Sequence, residues 1–212
     1  MISGAILHMI KAINHFIRRM PTWPIYLVVL AAIGWHFFLA LRGAYRPDPV
    51  RMLELEYGGL SLQFLIASLI VTPLKRFTGL NLMKFRRALG LSAFLFALAH
   101  LGVWVALDMQ FLFGQMLSDI LKRPYITFGM AAFALMLPLA ITSNDRLLRR
   151  LGGARWRRLH RLAYPLTLLA ALHFVWVRKG VQIEPLVYLG LIALLLALRL
   201  PLSRRRVAQR AL

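Results

Sequence analysis

The 212-residue chain has no cysteine, and only seven acidic residues stand against 27 lysines and arginines. Without thiols there is no disulfide, no cysteine-ligated iron–sulfur cluster, no thiolate-ligated haem and no C-x-x-C-H attachment of c-type haem. Neither a G-x-x-x-x-G-K-[ST] loop nor a G-x-G-x-x-G fingerprint occurs, and the polar connections are too short for a soluble nucleotide-binding domain. Electrons passing through such a chain would have to come from a partner or a bound small molecule. The formal net charge of +20 is of the kind found in nucleic-acid readers, but those gather their basic residues on a soluble face. Here the basic residues punctuate apolar runs, and no nucleic-acid partner is expected.

What the chain has in abundance is apolar surface: 60% of residues are hydrophobic and the mean hydropathy is +0.67. That composition belongs to a membrane protein. Six apolar segments, at 22–41, 56–73, 88–107, 125–142, 160–177 and 185–200, each approach the roughly 20 residues that cross a bilayer core. The expected fold is all-α, an integral bundle of six transmembrane helices. Pro21, Pro73, Pro124 and Pro185 fall at segment ends, where a missing N–H costs least. Ahead of the bundle, Ile2, Ile6, Met9, Ile13, Phe16 and Ile17 recur at helical spacing among Lys11, Arg18 and Arg19, which reads as an interfacial amphipathic helix. The division expected is therefore 1–21 as an interfacial segment, 22–200 as the transmembrane domain and 201–212 as a basic tail.

Charge orients the bundle. Twenty of the 27 basic residues lie before the first segment, at 75–87, at 146–161 or from Arg199 onward, whereas six of the seven acidic residues lie on the other side. The positive-inside rule puts both termini in the cytoplasm. The outer connection 108–123 is itself apolar enough to form a short surface helix, and with 42–56 it offers a docking surface for an extracytoplasmic partner.

Among the six histidines, His100, His160 and His173 fall within apolar segments at depth, where an imidazole is costly without a partner and is a functional candidate. Imidazole in a dry interior is suited to metal, haem iron included, and the absence of thiols restricts any haem to the b type. His160 and His173 are 13 residues apart, about 20 Å along a helix, so they lie at two depths. With segments three and five running outward, His100 shares the outer level with His173, and Arg86, 14 residues earlier, shares the inner level with His160. A spacing of 14 returns to within about 40° of the same helix face, but a spacing of 13 leaves about 140°. Pro165 could kink the segment and repair that phase. Apart from Glu56 at the first position of the second, no acidic residue falls inside the six segments to accompany these groups. His36 reads as a packing residue, and His8 and His15 as interfacial ones. The same histidines would also suit a small transporter with a polar pathway, or a scaffold needing none of them.

Taken in order, Thr72-Pro73-Leu74, Arg86-Arg87 with Leu89-Gly90-Leu91, His100, Arg123-Pro124-Tyr125, Thr142-Ser143, Arg155-Trp156 with Leu159-His160, Tyr164 and His173 resemble the MsrQ family. These are haem-binding membrane subunits of bacterial methionine sulfoxide reductase systems, within the wider ferric-reductase-like transmembrane group that includes the NADPH oxidases. The resemblance implies a six-helix cytochrome of the bacterial inner membrane carrying one or two b haems. It would take electrons from the quinone pool and pass them to a periplasmic MsrP-type molybdoenzyme that repairs oxidised proteins. FMN, and with it a cytoplasmic flavin reductase, is implied by the same resemblance. Position by position, His100, His160 and His173 match the haem-linked histidines. Where the oxidases have a second histidine on the third segment, this chain has Arg86. For the inner position that leaves a five-coordinate haem on His160, Arg86 as neighbour or ligand, or no haem. Arg86, Arg87 and Arg158 would face haem propionates or a flavin phosphate, or serve topology alone. A haem subunit for a different extracytoplasmic reductase would have the same fold and sites.

Overall fold

The computed structural model describes residues 2–178 and 182–199, and among them every regular element is helical. The expected basic tail, 201–212, lies outside the described residues, as do Lys179 and the last residue of the sixth apolar segment, Leu200.

Helix α1 (Ile2–Arg19) is amphipathic and lies ahead of the bundle. Asn14 ties it down, its amide donating to the Gly79 carbonyl (3.0 Å) and its side-chain oxygen accepting from the Asn81 N–H (2.8 Å). Lys84 adds a bond to the Arg18 carbonyl (2.9 Å) and another to that of Met20. Helix α2 (Trp23–Leu41) begins with Pro24 in its first turn and is apolar all round; among its residues only Val29 is fully buried. The outward Leu27, Val28, Leu30 and Phe38 are what a lipid-facing helix requires.

Helix α3 (Pro49–Thr78) starts on an Asp48 cap, whose carboxylate accepts from the Arg51 N–H at 2.9 Å, and stops at Gly79 in the left-handed conformation (φ +77°). At 30 residues it is longer than the segment expected at 56–73, for two reasons. Its cap lies well before the apolar run, so Glu54 and Glu56 become helical, contrary to the reading that no acidic residue accompanies the histidines. Its other end passes through Pro73 instead of stopping there, because the carbonyl that Pro73 leaves without a helical donor, that of Leu69, accepts from Arg199.

Helix α4 (Phe85–Val103) continues as a π-helical turn, Trp104–Asp108, and the short surface helix expected in the next connection is α5 (Phe113–Lys122). After α6 (Pro124–Ile141), the basic connection folds into two short helices, α7 (Asp145–Leu151) and α8 (Gly153–Leu159), and then a 3₁₀ turn, His160–Leu162. Only then does α9 (Ala163–Val177) begin, followed by α10 (Ile183–Ala197). His160 is therefore not on the helix that carries His173. The 3₁₀ turn resets the phase between them, and Pro165 sits in the first turn of α9, where it disrupts little.

Among the described residues, four helices are long and apolar enough to cross a membrane: Trp23–Leu41, Pro49–Thr78, Phe85–Asp108 and Pro124–Ile141. Helices α9 and α10 have 15 residues each, about 22 Å of rise against a core of about 30 Å. Helix α3 is the axis of the bundle. It packs along α4, α6 pairs with α9, and α10 closes against α9. Its residues enter all three buried clusters: Tyr57 with Val29 and Phe96; Leu65 with Ala93, Met136 and Leu166; and Leu69 with Ala171 and Ile192. Ser61 bridges to α4 through the Ala93 carbonyl at 2.9 Å.

Candidate functional site

His100, in the last turn of α4, and His173, on α9, meet inside the bundle with ring centroids 6.0 Å apart and planes at 75°. Each imidazole is held by the backbone of another helix. Nδ1 of His100 lies 2.9 Å from the Glu54 carbonyl of α3, and Nδ1 of His173 lies 2.7 Å from the Tyr125 carbonyl of α6. A carbonyl only accepts, so each Nδ1 carries the hydrogen and donates it. Both Nε2 atoms are thereby left with a lone pair. That is the tautomer of a metal-binding imidazole fixed by an outer partner.

The two seats share one construction. In each, the accepting carbonyl lies four residues before a glycine: Glu54 before Gly58, and Tyr125 before Gly129. The imidazole packs where the glycine has no side chain. A Cβ at Gly58 would stand 3.3 Å from Nδ1 of His100, and a Cβ at Gly129 would stand 2.9 Å from Nδ1 of His173. Here glycine serves close approach rather than an unusual dihedral. A Cβ at Gly59, Gly90 or Gly102 would meet nothing within 4 Å. No local sequence pattern distinguishes Gly58 and Gly129 from these.

The rings line a cavity of about 230 Å³ together with Arg51, Glu54, Trp104 and Tyr125. Glu54 is 8% exposed; one of its carboxylate oxygens is 3.3 Å from Arg51 and the other has no partner. Arg51 also donates to the Val177 carbonyl at 3.4 Å, which ties the start of α3 to the end of the helix bearing His173. Among the described residues no three His, Asp or Glu side chains converge as a metal cluster. A bare ion here would lack ligands. His100 and His173 could together hold an iron whose other positions a macrocycle would fill.

Arg86 and His160 are brought together elsewhere, in a larger cavity of about 890 Å³ that Arg87, Trp156, Arg158 and Tyr164 also line. The His160 ring stacks on Trp156 at 3.7 Å between centroids, and Trp156 is itself anchored through its indole N–H to the Thr142 carbonyl (2.9 Å). Nδ1 of His160 lies 3.2 Å from the Trp156 carbonyl, and Nε2 lies 3.5 Å from the Ser143 hydroxyl. No second histidine lines this cavity. Arg87 is paired with Asp145 at 2.6 Å, and this bond holds the Asp145 carboxyl below the usual carboxylate range. Leu65 and Met136 line both cavities. His36 joins neither: its Nδ1 lies 2.5 Å from the Tyr45 hydroxyl, and its ring packs edge-on to Tyr57. His8 and His15 are exposed on α1.

Residues 54–171 match the family described as the ferric reductase like transmembrane component. That stretch includes Arg86, His100 and His160 and ends two residues before His173. The chain is 43% identical over 178 residues to a protein of Agrobacterium fabrum, with 84% of this chain and 82% of the relative covered. It is 44% identical over 190 residues to one of Xanthomonas euvesicatoria, covering 87% of each. A third relative, from Brucella anthropi, is 40% identical over 186 residues, covering 87% of this chain and 84% of the relative. All three are named protein-methionine-sulfoxide reductase heme-binding subunit MsrQ.

The chain belongs to the MsrQ family.

No solved structure matches it. As an MsrQ chain it has a ferric-reductase-like membrane domain that begins inside α3, at the residue whose carbonyl seats His100, and runs into α9. The family assignment thus coincides with the part of the bundle that brings both cavities together.

Proposed function

We propose that this MsrQ chain is the haem-binding membrane subunit of a protein-methionine-sulfoxide reductase system, with one b haem held between His100 and His173. The reading rests on one observation: two imidazoles from different helices, each fixed through Nδ1 to a backbone carbonyl, meet inside the bundle with ring centroids 6.0 Å apart. When bound, the haem supplies a one-electron carrier whose potential follows its axial ligands and burial. The chain does the rest. Glu54 and Tyr125 orient the imidazoles, Gly58 and Gly129 make room for them, and the packed helices exclude water.

The Arg86–His160 cavity is the electron-input side. Its arginines suit an anionic redox group: the propionates of a second haem on His160, with Arg86 as neighbour, or the phosphate of FMN. The donor is the quinone pool, with a cytoplasmic flavin reductase as a further source. The acceptor is a periplasmic MsrP-type molybdoenzyme docking on the 42–56 connection and α5. In this topology α9 and α10 are the fifth and sixth spans, shorter than the core and accommodated by local thinning or flanking residues. Both termini face the cytoplasm of a bacterial inner membrane, and the division into interfacial segment, six-helix domain and basic tail follows.

A dithionite-reduced minus oxidised spectrum of the purified chain, with haem counted per polypeptide, tests this. A b-type spectrum is expected, and His100→Ala and His173→Ala should each abolish the same signal. No haem after expression with ample supply, or loss in only one of the two variants, refutes the pairing.

A further inference from the structure

Proline inside a membrane helix leaves the carbonyl four residues earlier without its N–H, and in hydrocarbon that carbonyl needs another donor. In α3 the proline is Pro73, the carbonyl is that of Leu69, and the donor is Arg199, just beyond α10. The same guanidinium lies over the Tyr164 ring, 5.4 Å from its centroid, with Nη1 3.4 Å from the Tyr164 hydroxyl. Arg76, on the last turn of α3, reaches back to the Leu198 carbonyl at 3.3 Å, so the end of α10 is pinned to α3 from two sides.

Tyr164 is where this pin meets the Arg86–His160 site. It lines that cavity together with Arg86 and His160, whereas Arg199 does not line it. Arg199 therefore holds a wall residue of the cavity without lining the cavity itself. A guanidinium that lies over an aromatic face and also meets its hydroxyl fixes the orientation of that ring. A helical N–H at position 73 would compete for the Leu69 carbonyl. Proline leaves that acceptor to the guanidinium.

We infer that Arg199 is a positioning residue of the Arg86–His160 site: anchored on the Leu69 carbonyl that Pro73 leaves free, it fixes Tyr164 in the wall of that cavity. The inference rests on the reading of that cavity as the electron-input side. It concerns how that site is held rather than what the site does.

The test uses the full-length, haem-loaded chain in lipid nanodiscs and two reductants. Reduced FMN is the probe for the Arg86–His160 side, and dithionite reduces the haem without needing that side. Arg199→Gln and Tyr164→Phe should each slow haem reduction by reduced FMN roughly 10- to 100-fold, the scale of a misplaced group, with haem content and dithionite reduction unchanged. Arg199→Lys, which keeps one charged donor, should recover part of the rate. In the Pro73→Ala background, where the Leu69 carbonyl regains a helical donor, Arg199→Gln should lower Tm less than in the parent. Unchanged FMN-driven rates in both Arg199→Gln and Tyr164→Phe overturn the inference, as does equal slowing with both reductants alongside haem loss, which marks a purely structural tie. If Arg199→Gln does not accumulate, Arg199→Lys and Tyr164→Phe decide alone. A wild-type chain that takes no haem, or whose haem reduced FMN cannot reduce, instead overturns the underlying functional reading.

Discussion

Replacing Gly129 with alanine tests the histidine seat more sharply than removing the histidine. The added Cβ would lie 2.9 Å from Nδ1 and 3.0 Å from Cε1 of His173, whereas ordinary contact begins at 3.4 Å. The ring must withdraw by 3.4 − 2.9, about 0.5 Å, to reach ordinary contact. It cannot do so freely, because Nδ1 is held 2.7 Å from the Tyr125 carbonyl. Lengthening that bond toward the edge of the hydrogen-bond range forfeits about 0.5–1.5 kcal/mol, and overpacking a filled site costs about 1–3 kcal/mol more. Together these predict a loss of about 1.5–4.5 kcal/mol in haem affinity, roughly 10- to 2,000-fold. The substitution favours the helix itself by about 0.8–1.0 kcal/mol, so weaker haem binding could not be laid to a weaker helix. Gly58→Ala, at 3.3 Å from His100, should show a smaller loss, and Gly90→Ala, with nothing within 4 Å, none. Haem titration of the purified apo-chains, read by absorption, gives the three affinities. Wild-type affinity in Gly129→Ala, or an equal loss in Gly90→Ala, would refute the proposed seat.

Arg86→Ala should leave the haem spectrum of the His100–His173 site intact and slow reduction by reduced FMN; stopped-flow absorption reads both, and an unchanged rate reduces Arg86 to a topological charge. The Arg87–Asp145 bond depresses the Asp145 carboxyl below its ordinary 3.8, so its contribution is present at neutral pH and lost as pH falls through the folded-state value. Thermal melts of Asp145→Asn should therefore lie slightly below wild type at pH 7, with the gap shrinking as pH is lowered below 3.8; a gap that widens on acidification contradicts this. Fusing reporters to the C-terminus tests the proposed topology: green fluorescent protein should fluoresce and alkaline phosphatase should stay inactive, and the reverse pattern sinks a cytoplasmic C-terminus.

Much of the helical pattern was legible because hydropathy and capping are local. The segments expected at 22–41 and 125–142 are helices Trp23–Leu41 and Pro124–Ile141. The surface helix expected in 108–123 is Phe113–Lys122. The start of α3 was readable but unread: Asp48 followed by Pro49 is a cap-and-first-turn signal, and heeding it would have placed Glu54 in the helix beside His100. The extension through Pro73 was not readable, since the donor that permits it is Arg199, 126 positions later in the sequence. Nor was the 3₁₀ turn at His160–Leu162, which has no proline or glycine to mark it.

By itself the sequence determined that this is a helical membrane protein without thiol chemistry, strongly asymmetric in charge, with three histidines and an arginine in or beside its apolar segments and the motif order of the MsrQ family. Those properties are sums or spacings along one chain. The tertiary structure alone decided that His100 meets His173, that the Glu54 and Tyr125 carbonyls set their tautomers, that Gly129 rather than Gly90 must lack a side chain, and that Arg199 stands behind Tyr164. Each depends on how α3, α4, α6 and α9 are rotated against one another. In a bilayer no hydrophobic drive between helices fixes that rotation; side-chain packing and a few polar bonds between helices do.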